Sequence, residues 1–157
     1  SLIAQKAAAK EGCDQVVWLD AKERFWVEEM GGMNLYFVKG RGKDATIFTP
    51  KLTGTLLHGI TRDSILSVAK DLGYKVEEGM ISIDQWRDGV ASGEISEIFA
   101  CGTAAVIAPV GSAKSKYGTW VTGDGNPGQI TMEIRNHLLG IQHGTIPDKH
   151  GWMKRVI

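Results

Sequence analysis

The sequence lacks the signatures of several large protein classes. Its 157 residues carry 18 Lys+Arg and 18 Asp+Glu, a formal net charge of zero. This balance argues against an electrostatic nucleic-acid clamp and against a polybasic membrane binder. No apolar run approaches the roughly 18–20 residues of a membrane-spanning helix, and the first residues do not resemble a signal peptide. We therefore predict a soluble globular domain with no nucleic-acid or membrane partner.

Cysteine and metal-site patterns are also scarce. The two cysteines, Cys13 and Cys101, lie far apart and outside any CxxC or CxxH pattern. Neither a disulfide framework nor a zinc site is predicted, and a reducing cytoplasm is the simplest setting. The four histidines show no HxxxH or HxH pairing, so no metal ligand is predicted. A GxSxG elbow, a P-loop and a GxGxxG fingerprint are absent.

What is present is a mixed order of helical and strand patterns, which predicts one α/β domain over 1–157. Helices are predicted over 1–11, 61–73, 83–91 and 128–144. Strands are predicted over 14–20, 24–30, 34–40, 44–50, 75–82, 95–101 and 105–110. Three of the first four strands are expected to be antiparallel neighbours. Thr61 and Gly73 are expected to cap the second helix.

The entry to the second helix is a candidate anion site. Gly59 precedes the helix, so the N–H groups of Ile60 and Thr61 are expected to point outward at the positive end of the helix dipole. The Thr61 hydroxyl could add a contact to a phosphate. Thr61 could equally be an ordinary N-cap, and this segment alone does not separate the two interpretations.

A second candidate is the turn between the last two strands. Gly102, Thr103, Ala104 and Ala105 interrupt an apolar strand pair with small residues, which lets a ligand approach the backbone N–H groups. The turn could hold a carboxylate or a phosphate, or it could be a tight turn selected for packing.

Two adjacent acids form the third candidate. Glu28 and Glu29 follow each other in a strand pattern, so strict alternation sends them to opposite faces. Glu29 would share its face with Phe25 and Val27, which resembles a core face bearing a carboxylate. Alternatively, both acids lie on a solvated rim beside the Gly-Gly turn.

In its motifs, the chain resembles the branched-chain amino acid aminotransferases of the fold-type IV pyridoxal-phosphate family. The motifs occur in the family's order and span almost the whole chain. They are SLIAQ, GCDQVVWLD, VEEMGGMN, LLHGITRDS, EIFACGTAAVIAPV, IQHG and HGWM. The resemblance implies a strongly curved mixed sheet or pseudo-barrel with outer helices, like the C-terminal domain of D-amino acid aminotransferase-like enzymes.

The resemblance also assigns roles to individual residues. Glu29 would bond the pyridine nitrogen of pyridoxal 5'-phosphate, and Leu57 would pack on its ring. Ile60, Thr61 and Thr103 would contact the phosphate. The N–H groups of Thr103 and Ala104 would receive the substrate carboxylate.

The family's Schiff-base lysine is expected upstream of Ser1, and Lys6 occupies a variable position, so no catalytic residue is assigned within this chain. The N-terminal domain is also expected to be absent. The resemblance implies a cytoplasmic homodimer that moves the amino group of leucine, isoleucine or valine to 2-oxoglutarate, with branched-chain amino acids and 2-oxo acids as partners. Two alternatives stay open, a D-amino acid aminotransferase or aminodeoxychorismate lyase of the same family, and a non-catalytic anion-binding module.

Overall fold

The computed structural model describes residues 2–156, and its organising element is the strand β3, Met33–Lys39. One edge of β3 pairs with β6, Ile95–Gly102, in antiparallel register from Asn34 to Lys39. The other edge is shared, because β2, Val27–Met30, pairs with the start of β3, and β4, Thr46–Pro50, pairs with its end. The sheet therefore branches at β3.

Further strands extend the sheet on each side. They are β1, Val17–Leu19, beside β2; β5, Lys75–Gly79, parallel to β4; and β7, Val106–Pro109, beside β6. Together the seven strands form one sheet within residues 2–156. The strands β8, Ser112–Ser115, and β9, Gly118–Val121, form a separate antiparallel hairpin.

Within residues 2–156, four α-helices accompany this sheet, and three of them pack on its two faces. The four helices are α1, Leu2–Lys10; α2, Ile60–Asp71; α3, Ile83–Ser92; and α4, Gln129–Gln142. Alternate residues of β3 enter different cores: Tyr36 and Val38 pack with α2 and α4, whereas Leu35 and Phe37 pack with α3. This alternation is the period of two expected for a strand that is buried on both faces.

The predicted mixed α/β class is confirmed, and the expected helices and strands are present, with Ser1 and Ile157 outside the described residues. Several details differ. The hairpin β8–β9 is not predicted by the sequence patterns, and Gly42–Asp44 forms a short 3-10 helix where only a turn is expected. Gly59, not Thr61, is the N-cap of α2, and Gly73, with φ of +87°, follows the C-cap Leu72.

The α1 helix forms as predicted but buries none of its described residues. Leu2 and Ile3, on its predicted apolar face, are 79% and 83% exposed. None of the helices within residues 2–156 is both long and apolar enough to cross a membrane.

Candidate functional site

A row of three paired residues crosses the sheet beside the N-terminus of α2. Glu29 on β2 is paired with Asn34 on β3, and Asn34 is paired with Cys101 on β6. Residues directly opposite each other in antiparallel strands share a face of the sheet. Cys101 lies in the core under α2, and burial raises the pKa of its thiol to about 12. Glu29 and Asn34 therefore lie on the α2 side of the sheet.

The segment that leads into α2 lies over this row. The Asn34 side-chain amide donates to the carbonyl of Leu57 at 3.0 Å. Gly59 has φ of +67°, and a Cβ built on it would lie 2.3 Å from Asn34 Oδ1. A glycine is required here both by the left-handed backbone and by the close approach of Asn34.

The N-terminus of α2 differs from those of α3 and α4. In α3, Ser82 and Gln85 form a reciprocal capping box. At α4, the Glu97 carboxylate from β6 accepts from the N–H groups of Ile130 and Thr131, at 3.0 and 2.7 Å. No side chain within residues 2–156 caps α2, so the first N–H groups of α2 are available to an anion.

The turn after β6 lies next to the same row. Thr103, two residues beyond Cys101, begins a three-residue turn in which Thr103, Ala104 and Ala105 are exposed. The turn ends at Val106, whose φ of +56° is a strained conformation for a β-branched residue. Backbone strain of this kind is often found at ligand-binding turns.

Glu29 is the candidate acid of this site, although the strict strand alternation used to predict its face does not hold. The β1–β2 pairing shifts register, because Trp18 pairs with Glu29 whereas Leu19 pairs with Val27. This irregularity leaves Glu28 without a cross-strand partner in the pairing, and it explains why Val27 and Met30, three residues apart, are both buried. Glu29 is therefore placed by its pairing with Asn34 and not by a shared face with Phe25 and Val27.

The two acids have different surroundings. The Glu28 carboxylate accepts a hydrogen bond from the Thr55 hydroxyl at 2.6 Å. The pKa of Glu29 is raised, first by burial and then by the neighbouring negative charge of Glu28. Glu29 is thus a half-buried carboxylate that would gain from a cationic partner.

The other residues assigned by resemblance lie on the open side of this region. Leu57 and Ile60 are 70% and 90% exposed, and Thr61 is half-buried. The structure thus brings the 57–61 segment, Glu29 and the Thr103 turn around one end of β3, through Asn34.

Three buried polar residues at this place are not predicted from the sequence. Tyr36 donates its hydroxyl proton to the carbonyl of Arg62 at 2.7 Å. The Arg62 guanidinium donates to the carbonyl of Pro50 at 3.0 Å and forms an ion pair with Glu78. Asn34 is the third, and its polarity inside the apolar run NLYFV is the signal that could have identified it.

Within residues 2–156, no group of three or more His, Cys, Asp or Glu side chains could hold a metal ion. The candidate site consists of the uncapped N-terminus of α2, the exposed Thr103 turn and the half-buried Glu29 carboxylate.

Comparison with known proteins relates this chain to a family. The sequence profile described as amino-transferase class IV matches residues 1–113. The chain is 58% identical over 156 residues to the branched-chain-amino-acid aminotransferase of Mycolicibacterium smegmatis, covering 99% of this chain and 42% of that protein. It is 56% identical to a probable branched-chain-amino-acid aminotransferase of Streptomyces coelicolor, covering 98% of this chain and 41% of that protein. The chain thus spans less than half the length of these relatives.

Solved structures give the same result. The branched-chain amino acid aminotransferase of Escherichia coli superposes with a TM-score of 0.81 at 34% identity, covering 99% of this chain and 46% of that chain. A second branched-chain enzyme, from T.th., was solved in complex with N-(5'-phosphopyridoxyl)-L-glutamate and gives a TM-score of 0.80 at 31% identity, with 99% and 47% covered. These structures are branched-chain enzymes and not D-amino acid enzymes. The chain belongs to the class IV aminotransferases.

Proposed function

We propose that this chain forms the C-terminal domain of a branched-chain amino acid aminotransferase and supplies the cradle for pyridoxal 5'-phosphate. The complete enzyme would transfer the amino group of leucine, isoleucine or valine to 2-oxoglutarate. The observation that carries the proposal is the row in which Glu29 is paired with Asn34, while the Asn34 amide bonds the segment that precedes the uncapped end of α2.

The residues present fit this cofactor. A phosphate would accept from the N–H groups of Ile60 and Thr61, and the Thr61 hydroxyl could add a third donor. Gly59 lets the segment before α2 lie against β3, because any Cβ there would collide with Asn34. Leu57 exposes an apolar side chain that could cover one face of an aromatic ring.

Glu29 is suited to the pyridine nitrogen. Burial raises its pKa, so a protonated ring nitrogen nearby would lower the free energy of the ionised carboxylate. Pyridoxal phosphate, when bound, supplies an electron sink for the substrate carbon that loses its proton. Glu29 would favour the protonated ring nitrogen on which that sink depends.

The Thr103 turn would bind anionic groups on the other side. Thr103 and Ala104 are exposed residues of the strained turn after β6. Their N–H groups would orient the substrate carboxylate, and the Thr103 hydroxyl would contact the phosphate. The base that moves the proton would come from a lysine outside this chain. From the resemblance alone, we also propose that the complete enzyme is a cytoplasmic homodimer.

The test uses the complete enzyme and compares two neighbouring acids. Glu29→Gln should keep the cofactor bound but slow the single-turnover reaction with leucine by at least about a hundredfold, because the ring nitrogen loses its anionic partner. Glu28→Gln is the matched control and should react at nearly the wild-type rate. Equal rates for wild type and Glu29→Gln would exclude the proposed role of Glu29. A complete wild-type protein that binds phosphate-containing ligands without turnover would instead support a binding module.

A further inference from the structure

Two buried polar residues of β3 form hydrogen bonds to the two ends of the segment 57–62, which contains the N-terminus of α2. Asn34 and Tyr36 are two residues apart on the strand, so both side chains lie on the α2 face of the sheet. Asn34 donates to the carbonyl of Leu57 at 3.0 Å, and Tyr36 donates to the carbonyl of Arg62 at 2.7 Å. The segment 57–62 is therefore tied to one strand at its beginning and at its end.

The candidate phosphate donors lie between these two bonds. Within residues 2–156, the N–H groups of Ile60 and Thr61 make no hydrogen bond, as expected for the first turn of a helix without a side-chain cap. A free helix end of this kind frays readily unless other contacts hold it. Here such contacts include the side chains of Asn34 and Tyr36, which are 7% and 0% exposed.

The same strand also fixes the position of Glu29. Glu29 is paired with Asn34 across the sheet, so the carboxylate and the bonded segment share one anchor residue. Pyridoxal phosphate joins its ring nitrogen and its phosphate through a rigid ring. Both groups can be bound at once only if Glu29 and the α2 N-terminus are held at a matching separation.

We propose that Asn34 and Tyr36 are positioning residues that hold the α2 N-terminus in register with Glu29, so that one cofactor engages both. The inference rests on the proposed function. It assigns to these two residues no contact with the cofactor. Their effect is transmitted through the carbonyls of Leu57 and Arg62.

The experiment measures the affinity of the complete apoenzyme for two probes, pyridoxal 5'-phosphate and pyridoxal, which lacks the phosphate. Tyr36→Phe removes one oxygen atom and keeps the stacked contact with Phe99. Asn34→Ala removes the other donor without adding charge. Each variant should raise the Kd for pyridoxal phosphate about five- to tenfold, because one hydrogen bond that orders the phosphate donors is lost. The Kd for pyridoxal should change less than about twofold, because pyridoxal does not use those donors.

Tyr74→Phe is the matched control for Tyr36→Phe. Tyr74 is also buried and follows the C-terminal end of α2. Its hydroxyl donates a hydrogen bond to the Glu133 carboxylate. This variant should destabilise the fold comparably but leave both affinities near the wild-type values. Asn136→Ala, on the exposed surface of α4, is the control for Asn34→Ala.

The outcomes separate this inference from the proposed function. Wild-type apoenzyme that binds neither probe overturns the proposed function, and the positioning role with it. Wild type that binds pyridoxal phosphate normally, while Tyr36→Phe and Asn34→Ala bind it equally well, overturns the positioning role alone. The same result follows if both probes lose affinity by the same factor, since that pattern indicates general damage to the fold. Thermal unfolding of each apoenzyme identifies such damage independently.

Discussion

The Glu29 carboxyl group lies in surroundings that favour its neutral form. Burial is the main cause of its raised pKa, and the charge of Glu28 adds to it. In the unfolded chain the same group titrates near its ordinary value. Above that value, the unfolded chain has released the proton that the folded chain still holds, so folding becomes less favourable as pH rises. A carboxylate that lowers stability in this way is typical of a residue kept for binding.

We therefore predict that Glu29→Gln stabilises the 157-residue chain at neutral pH. The gain should be absent below the ordinary pKa of a glutamate and should appear as pH rises through the raised pKa of Glu29. It should stay below about 1 kcal/mol because the side chain is partly solvated. Urea unfolding at a series of pH values measures it. Glu77→Gln, on the exposed part of β5, serves as the control, and a Glu29→Gln variant that is less stable at pH 7 than at pH 4, relative to wild type, would contradict the account.

At the residue scale, the sequence could suggest Glu29 but not the reason for its position. Strict alternation assumes a regular strand, and the register shift opposite Trp18 and Leu19 breaks that assumption. A bulge depends on the partner strand, which lies elsewhere in the chain. The roles of Asn34 and Tyr36 are not predictable for the same reason, because their bonds to Leu57 and Arg62 join residues that are more than 20 positions apart.

At the element scale, the contrast between α2 and α4 is central. Both helices begin at a glycine N-cap, but at α4 the Glu97 side chain accepts hydrogen bonds from the first free N–H groups of the helix. The Glu97 carboxylate accepts from two backbone N–H groups and from the Thr131 hydroxyl at 2.7 Å. Gly128 makes this approach possible, since a Cβ there would lie 2.0 Å from Glu97 Cδ. Of these two helices, α2 is the one whose first backbone N–H groups are available to an external anion.

We predict that Glu97→Ala lowers the free energy of unfolding by about 1–2 kcal/mol, through the loss of the α4 cap. Gly128→Ala should also destabilise the wild type, but it should cost less in the Glu97→Ala background, where the collision is absent. Urea unfolding of the two single variants and the double variant gives this cycle. Strictly additive effects would show that the carboxylate does not occupy the α4 N-terminus. Glu94→Ala, at an exposed position, is the control.

Elements with strong local patterns are predictable, and weakly patterned ones are not. The helices α2, α3 and α4 follow their apolar periodicity, and the strands β3, β4 and β6 are apolar runs that are mostly buried. The hairpin β8–β9 consists of two four-residue strands with little buried surface, so its sequence carries no clear apolar pattern. The prediction of Thr61 as the N-cap of α2 is wrong. It used the local preference of N-caps for threonine, whereas the helix begins after Gly59, which has a positive φ and packs against Asn34.

At the scale of the whole molecule, the chain contains part of the residues that the proposed reaction needs. It spans less than half the length of its relatives. It contains the candidate acid Glu29, the two backbone segments proposed to bind anions and the strand β3 that connects them. We propose from the resemblance that the lysine that moves the proton is supplied by another part of the complete enzyme.

We predict that the 157-residue chain does not transaminate leucine, whereas the complete enzyme does. A proton can be moved rapidly only by an amine held beside the reacting carbon, and no lysine of this chain matches that position in the family. The measurement is leucine turnover with added pyridoxal phosphate, followed by borohydride trapping and peptide mapping. Catalytic turnover with stoichiometric trapping at Lys6 would contradict the assignment. Weak binding of the cofactor without turnover agrees with it.

The most direct test of the proposed cradle is the protonation state of the cofactor's ring nitrogen. The complete enzyme is loaded with pyridoxal phosphate that carries ¹⁵N in the ring, and the nitrogen chemical shift is measured by NMR. We predict a protonated nitrogen in the wild type and in Glu28→Gln, and an unprotonated nitrogen in Glu29→Gln, because Glu29 is the acid paired with the Asn34 anchor. A nitrogen that stays protonated in Glu29→Gln, or that loses its proton in Glu28→Gln, would contradict the account.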